Sequence, residues 1–215
     1  MFSHVFYHRS VTLDNGRVVL VRFLNPGDLE EFSDLVRESS EGELCFLKQD
    51  FQDPKVVDRW LEDFRQRRIM SLVTVDLQAH RFIASANLHL GRDSARHVGE
   101  IRIFVAEPYR GLGLGSMLLK ESLDLALDED LQWLQAEVVA SHRAAVNFFQ
   151  AHGFAVKAVL KDYFLRQDEV AQDAVLLMRP VLRPGGKNYR ESKSATRPLP
   201  KRRKISGEKG GSGQG

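Results

Sequence analysis

Cysteine is nearly absent: Cys45 is the only one in 215 residues. That excludes an internal disulfide and a cysteine-based metal cluster, and it suits a reducing cytoplasm. The histidines do not replace it. His4, His8, His80, His89, His97 and His152 are scattered without metal-ligand spacing, so no metal is expected. No apolar run approaches the roughly 18 residues needed to span a bilayer. The opening "MFSHVFYHRS" lacks a basic segment followed by an apolar stretch, so no signal peptide and no membrane partner are expected. What is present is a chain that is 43% hydrophobic. It is long enough to bury a sizeable core in one domain, or in one domain with a tail.

The net charge of +2 hides an asymmetry. Residues 183–215 hold ten Lys/Arg against two Asp/Glu, a net of +8, which leaves 21 against 27, a net of −6, for residues 1–182. The tail is poor in apolar residues and rich in Gly and Ser. It cannot bury enough surface to offset its ordering entropy, so a disordered basic tail is expected. Its "KRRK" reads as a solvated charge run before it reads as a nuclear address or a nucleic-acid patch. The expected division is an extension over 1–10, a domain over 11–182 and the tail over 183–215.

Along the domain, "VTLDNGRVVLVRFL" predicts a hairpin turning at Asn15-Gly16. Leu29, Phe32, Leu35 and Val36 recur at helical spacing after Pro26. A second helix enters through Asp53-Pro54, with Val57, Trp60, Leu61 and Phe64 on one face. "IMSLVTVD", "RFIASANLHL" and "HVGEIRIFVA" are strands, and a glycine loop and a helix to about Asp128 follow. "LQWLQAEVVA" is a strand, "HRAAVNFFQAH" a helix, and "FAVKAVLKDYFL" and "DAVLLMRP" are closing strands. The expected class is α/β (α+β), with a mixed, mostly antiparallel sheet of about seven strands flanked by about four helices.

The stretch "EPYRGLGLGSMLLKE" carries the chemistry. A strand that runs into a Gly-rich loop and then a helix makes an anion site. The first helical N–H groups lack intrahelical partners, and the positive end of the helix dipole lies there. Glycines let an anion approach the backbone closely. A Walker loop would need Lys-Ser/Thr after its last glycine, but Gly115 is followed by Ser116-Met117. A dinucleotide fingerprint needs G-x-G-x-x-G early in the chain, and this is G-x-G-x-G late in it. A purely structural turn accounts for one helix-leading glycine, not for three and an arginine. The run Arg110-Gly111-Leu112-Gly113-Leu114-Gly115 fits the remaining pattern, [Q/R]-x-x-G-x-[G/A].

"IFVAEPYRGLGLGSMLL" resembles the acyl-CoA-binding motif of the GNAT superfamily of N-acetyltransferases, and the element order resembles that family over roughly residues 11–180. The resemblance implies a GNAT fold and acetyl-CoA as cosubstrate. It implies that the backbone of Ile103, Phe104 and Val105 pairs with the pantetheine arm. The N–H groups from Gly111 to Ser116 (Leu112, Gly113, Leu114 and Gly115 included) would take the pyrophosphate beside Arg110. "SHRAAVNFFQAHGF" is similar to the family's second motif, N-x-x-A-[I/V]-x-[F/L]-Y-E-K-x-G-F, with His142 in place of Asn and Phe149 in place of Tyr. His142 is a candidate to hydrogen-bond near the CoA arm. Phe149 packs against the cofactor in this reading but gives no proton, so protonation of the leaving thiolate falls to water or to Tyr163. The competing reading of Tyr163 is a strand tyrosine with its ring on the core.

Acetyl transfer needs a neutral amine, and a lysine amine, with a pKa of about 10.4, is almost all protonated at neutral pH. Glu100 is the expected general base. It sits in an apolar strand ten residues before Arg110, a spacing that resembles protein-lysine acetyltransferases. Desolvation is expected to raise its pKa toward neutrality. The alternative is a glutamate paired with Arg102 or Arg81. Glu107 stands on the cofactor side and is the poorer base. A strand N–H, that of Val105, is expected to polarise the thioester carbonyl.

These residues point to an N-acetyltransferase acting on a primary amine: a protein lysine, a polyamine or a small molecule. The acidic remainder favours cationic acceptors, and "VTLDNGRVVLVRFLNPGDLEEF" loosely resembles the opening of bacterial protein-lysine acetyltransferase domains. The rival reading is a non-catalytic CoA-binding or sensor module, with its tail as a nucleic-acid- or protein-binding element. A cytoplasmic monomer or homodimer fits either reading.

Overall fold

The first hairpin forms where Asn15-Gly16 predicts it. Strands β1 (His8–Thr12) and β2 (Val18–Phe23) pair antiparallel, and the Leu13 N–H donates to the Arg17 carbonyl across the turn at 2.8 Å. The Asn15 side chain accepts from the Arg17 N–H at 3.1 Å, the local bond for which Asn is favoured in turns. This is a computed structural model, which describes residues 7–28, 31–32, 53–165 and 170–182. Leu29, Leu35, Val36, Cys45 and the tail lie outside the described residues, as does the side chain of Val57. β1 begins at His8, so its first three residues fall within the segment read as an extension.

Helix α1 (Pro54–Arg65) starts as its sequence demands. Asp53 caps it by accepting from the Lys55 N–H at 2.9 Å, and Pro54 fills the first turn, where no N–H is missed. β3 (Ile69–Asp76), β4 (Arg81–Leu90) and β5 (Val98–Val105) form an antiparallel meander. Helix α2 (Leu114–Asp128), β6 (Trp133–Val139), helix α3 (Arg143–Ala151), β7 (Ala155–Leu165) and β8 (Ala171–Pro180) complete the chain. Among the described residues eight strands lie in the order β1-β2-β3-β4-β5-β6-β8-β7, where about seven were expected. β8 enters between β6 and β7, and every pair is antiparallel except β5–β6. Among the described residues three helices are complete; of the earlier predicted helix only Glu31 and Phe32 are described, and both are helical.

The sheet separates two apolar layers. On one face, Leu114, Leu118, Leu119 and Ala126 of α2 and Phe149 of α3 pack against Leu72, Ile101 and Leu134. Leu118 and Leu119 have no exposed surface, and each such side chain stabilises the fold by about 1.5–3 kcal/mol over an exposed one. On the other face Trp60 stacks between Phe32 and Phe64, at 5.4 and 5.6 Å between ring centroids, over Val73, Phe82 and Phe104. One face of β5 thus looks toward α2 and α3, and the other toward α1.

Candidate active site

β5 and β6 start as partners and then part. Their parallel register runs Val98–Trp133, Gly99–Leu134, Glu100–Gln135 and stops there, although β5 continues to Val105 and stays paired with β4. The Ala106 N–H donates to the Ile83 carbonyl at 2.9 Å and the Gly91 N–H to the Val98 carbonyl at 3.0 Å, so even-numbered residues bond to β4. Alternation then turns the peptide groups of Ile103 and Val105 toward the opening. Phe104 does not join them. It lies in register with Ser85, and its side chain is buried in the α1-side core.

The loop begins where β5 ends. Glu107–Tyr109 form a 3-10 turn, and Arg110 folds back so that its Nε donates to the Val105 carbonyl at 2.9 Å. The guanidinium is thereby held beside the mouth of the opening. Gly111 and Gly113 stand at φ +74° and +81°, in the left-handed region that other L-residues avoid. An added Cβ at either would meet no atom within 4 Å, so the backbone conformation, and not crowding, favours glycine there. Left-handed residues alternating with ordinary ones make a concave row of N–H groups that fits an anion. Gly113 is the N-cap of α2 and offers no side chain, and the Met117 N–H donates to the Gly113 carbonyl at 3.0 Å. The N–H groups of Leu114, Gly115 and Ser116 therefore lie in the turn that lacks intrahelical acceptors, at the positive end of a 15-residue helix. Leu114 itself is buried and Leu112 half-buried, which pins the loop to the core from below, while Ser116 is exposed. This backbone suits a pyrophosphate.

Gly115 has a different reason to be glycine. A Cβ there would lie 3.3 Å from Cε2 of Phe148, which fits the second motif but was given no role at the site. Phe149 instead lies in the core, 6% exposed, edge-on to Phe148 and Phe154 at 5.2 and 5.1 Å. His142 caps α3: its Nδ1 accepts from the Ala145 N–H at 3.3 Å, the task an Asn performs at that position.

Glu100 occupies the last position before the strands part, with His89 and Gln135 as its neighbours across β4 and β6. Its carboxylate accepts from Arg102 Nε at 2.8 Å, and both side chains are largely buried. The pairing read as the alternative in the sequence is therefore present. Glu137, two residues along β6 from Gln135, is half-buried, and the Gln135 amide approaches it at 3.5 Å. The side-chain hydrogen bond with Glu137 pushes the Tyr163 hydroxyl up, with burial and the charges of Glu137 and Glu100 adding to it and Arg102 opposing. Tyr163 is 49% exposed rather than laid on the core: it stands on the edge strand β7, where the register with β8 shifts between Leu160 and Phe164. Glu100, Arg102, Glu137 and Tyr163 thus form one polar group, which links three strands. The residues suggested only the Glu100–Arg102 pair within it.

A sequence model of the Acetyltransferase (GNAT) family matches residues 30–154. Over 65 residues the chain is 34% identical to YwnH of Bacillus subtilis (strain 168), provisionally named a phosphinothricin acetyltransferase. That match covers 30% of this chain and spans about 40% of the length of the curated relative. The GNAT domain of S. lividans PAT superposes with a TM-score of 0.63 at 20% identity, over 84% of this chain and 99% of that one. The spermidine N-acetyltransferase of Vibrio cholerae, solved with CoA and spermine, superposes at 0.62 with 18% identity, over 76% and 95%. These two likenesses establish the fold. The sequence match, running from ahead of α1 to the end of the α3–β7 turn over more than half of the chain, establishes the kinship: the chain belongs to the GNAT acetyltransferase family.

Proposed function

We propose that this chain moves an acetyl group from acetyl-CoA to a primary amine by direct attack, with Glu100 as general base. The observation that carries the reading is the parting of β5 from β6 immediately before the glycine loop. Acetyl-CoA supplies the activated acyl group. The N–H groups from Gly111 to Ser116 receive its pyrophosphate, and Ile103 and Val105 face its pantetheine arm. The Val105 N–H polarises the carbonyl. Glu100, on the α1 side of the same strand, takes the acceptor's proton directly or through water. Protonation of the departing thiolate falls to water or to Tyr163, since Phe149 offers no proton. The acceptor is a lysine side chain, a polyamine or a small amine, drawn by the net charge of −6 over residues 1–182. A cytoplasmic location is part of the same reading, which the single cysteine suits.

A second reading, a CoA-binding module without turnover, is favoured by the Arg102 guanidinium on Glu100. A thiol-release screen over polyamines, small amines and lysine peptides, corrected for acetyl-CoA hydrolysis, separates the two. Turnover on any amine class supports the enzyme. Tight CoA binding with no acetylated amine supports the module.

A further inference from the structure

Asp76 ends β3 with a side chain that has no exposed surface, and four hydrogen bonds surround its carboxylate. Oδ1 accepts from the N–H groups of Gln78 and Ala79 at 2.9 and 3.1 Å, which shapes the β3–β4 turn. A turn-forming aspartate needs no more than this and tolerates solvent. The other oxygen is directed elsewhere. Oδ2 accepts from the Tyr109 hydroxyl at 2.7 Å and from Arg17 Nη1 at 2.9 Å. Arg17 Nη1 also donates to the Tyr109 oxygen at 3.1 Å, and its guanidinium carbon lies 5.5 Å from the Tyr109 ring centroid. Arg17 belongs to the β1–β2 hairpin. Tyr109, 3% exposed, is the last residue of the 3-10 turn that opens the glycine loop.

The loop needs such an anchor. Between Tyr109 and the buried Leu114 lie four residues, of which two are left-handed glycines, and glycine has the most backbone freedom to lose. A loop held at both ends presents its N–H groups already arranged, and an anion then binds without a further ordering cost.

We propose that Asp76 is a positioning residue for the pyrophosphate loop, holding Tyr109 and Arg17 so that the N-terminal hairpin and the loop entry move as one body. This rests on the reading of the glycine loop as the acetyl-CoA site. The carboxylate touches no ligand. It acts through the Tyr109 hydroxyl, whose loss frees the loop entry while the ring stays in the core.

The test uses the full chain with Tyr109→Phe, Arg17→Met and Asp76→Asn. Calorimetry with CoA measures affinity, and kinetics compare acetyl-CoA with S-acetylpantetheine, which lacks the pyrophosphate. Tyr109→Phe is expected to weaken CoA about five- to tenfold. The loss should fall on KM for acetyl-CoA rather than on kcat, with KM for S-acetylpantetheine unmoved. Arg17→Met should move the same quantities in the same direction, and Asp76→Asn should move them most. Should Asp76→Asn fail to fold, Tyr109→Phe keeps the ring and decides alone. Equal loss with both acyl donors would mean general destabilisation and overturn the proposal. So would a folded Tyr109→Phe protein with wild-type CoA affinity. A wild-type chain that does not bind CoA overturns the reading of the loop, and the proposal with it.

Discussion

Gly113→Ala adds a Cβ at φ +81°, where nothing lies within 4 Å of it. The substitution therefore introduces strain without a clash. Holding an ordinary L-residue in the left-handed region costs about 1–2 kcal/mol. If the loop stays left-handed with and without ligand, that strain cancels in binding and appears only in the melting temperature, as a loss of roughly 2–8 °C for a domain of this size. The open surroundings argue otherwise. With no packed neighbour to hold it, the strained residue relaxes in the free protein and must be bent back when the pyrophosphate arrives. The cost then appears in affinity, and CoA binding falls by roughly 5- to 30-fold. Asn enters the left-handed region more readily than Ala, so Gly113→Asn should fall between Ala and wild type. Gly115→Ala is the contrasting case, since its Cβ would press on Phe148 at 3.3 Å and the loss should shrink when Phe148 is trimmed to Leu. Calorimetric titration with CoA at 25 °C reads all of them. A Gly113→Ala protein with wild-type affinity and wild-type melting temperature would show that the left-handed turn is not required, and the account of the loop would fall.

Glu100→Gln should lower turnover by roughly 10²-fold and abolish the acid limb of the pH–rate profile while CoA affinity stays near wild type; full activity with an unchanged profile would remove this residue from the mechanism. Asp76 governs acid stability. Burial alone would push its carboxyl up, but hydrogen bonds from Tyr109, Ala79, Gln78 and Arg17 outweigh it and hold the group at about 2, below its usual 3.8. A depressed folded-state value means stability that is present above the unfolded-state value and lost as pH falls from about 4 to about 2. The melting-temperature gap between wild type and Asp76→Asn should therefore close over that window, and a gap independent of pH would contradict it. Removing residues 183–215 should leave the melting temperature and CoA affinity unchanged within error, since that composition adds little to a core; a drop of many degrees would place the domain boundary further along the chain.

Local demands were legible in the residues themselves. Gly113 could be read because a left-handed N-cap excludes nearly every other residue. The Asn15-Gly16 turn and the Asp53-Pro54 helix entry could be read because each satisfies backbone groups within a few positions. The pairing of Glu100 with Arg102 was one of the two alternatives the residues offered, the other being with Arg81. Strand order was not legible, because nothing local tells β8 to enter between β6 and β7. Nor was the point at which β5 parts from β6, just after Glu100, which depends on where two separate strands stop sharing hydrogen bonds. Adjacent phenylalanines look alike in a motif. Only packing decides that Phe149 is in the core and that Phe148 lies against Gly115. The contacts of Asp76 with Arg17 and Tyr109 span 59 and 33 positions of sequence. Such contacts come from chain closure around a common core, and a carboxylate becomes a four-bond anchor only when that closure has removed its water.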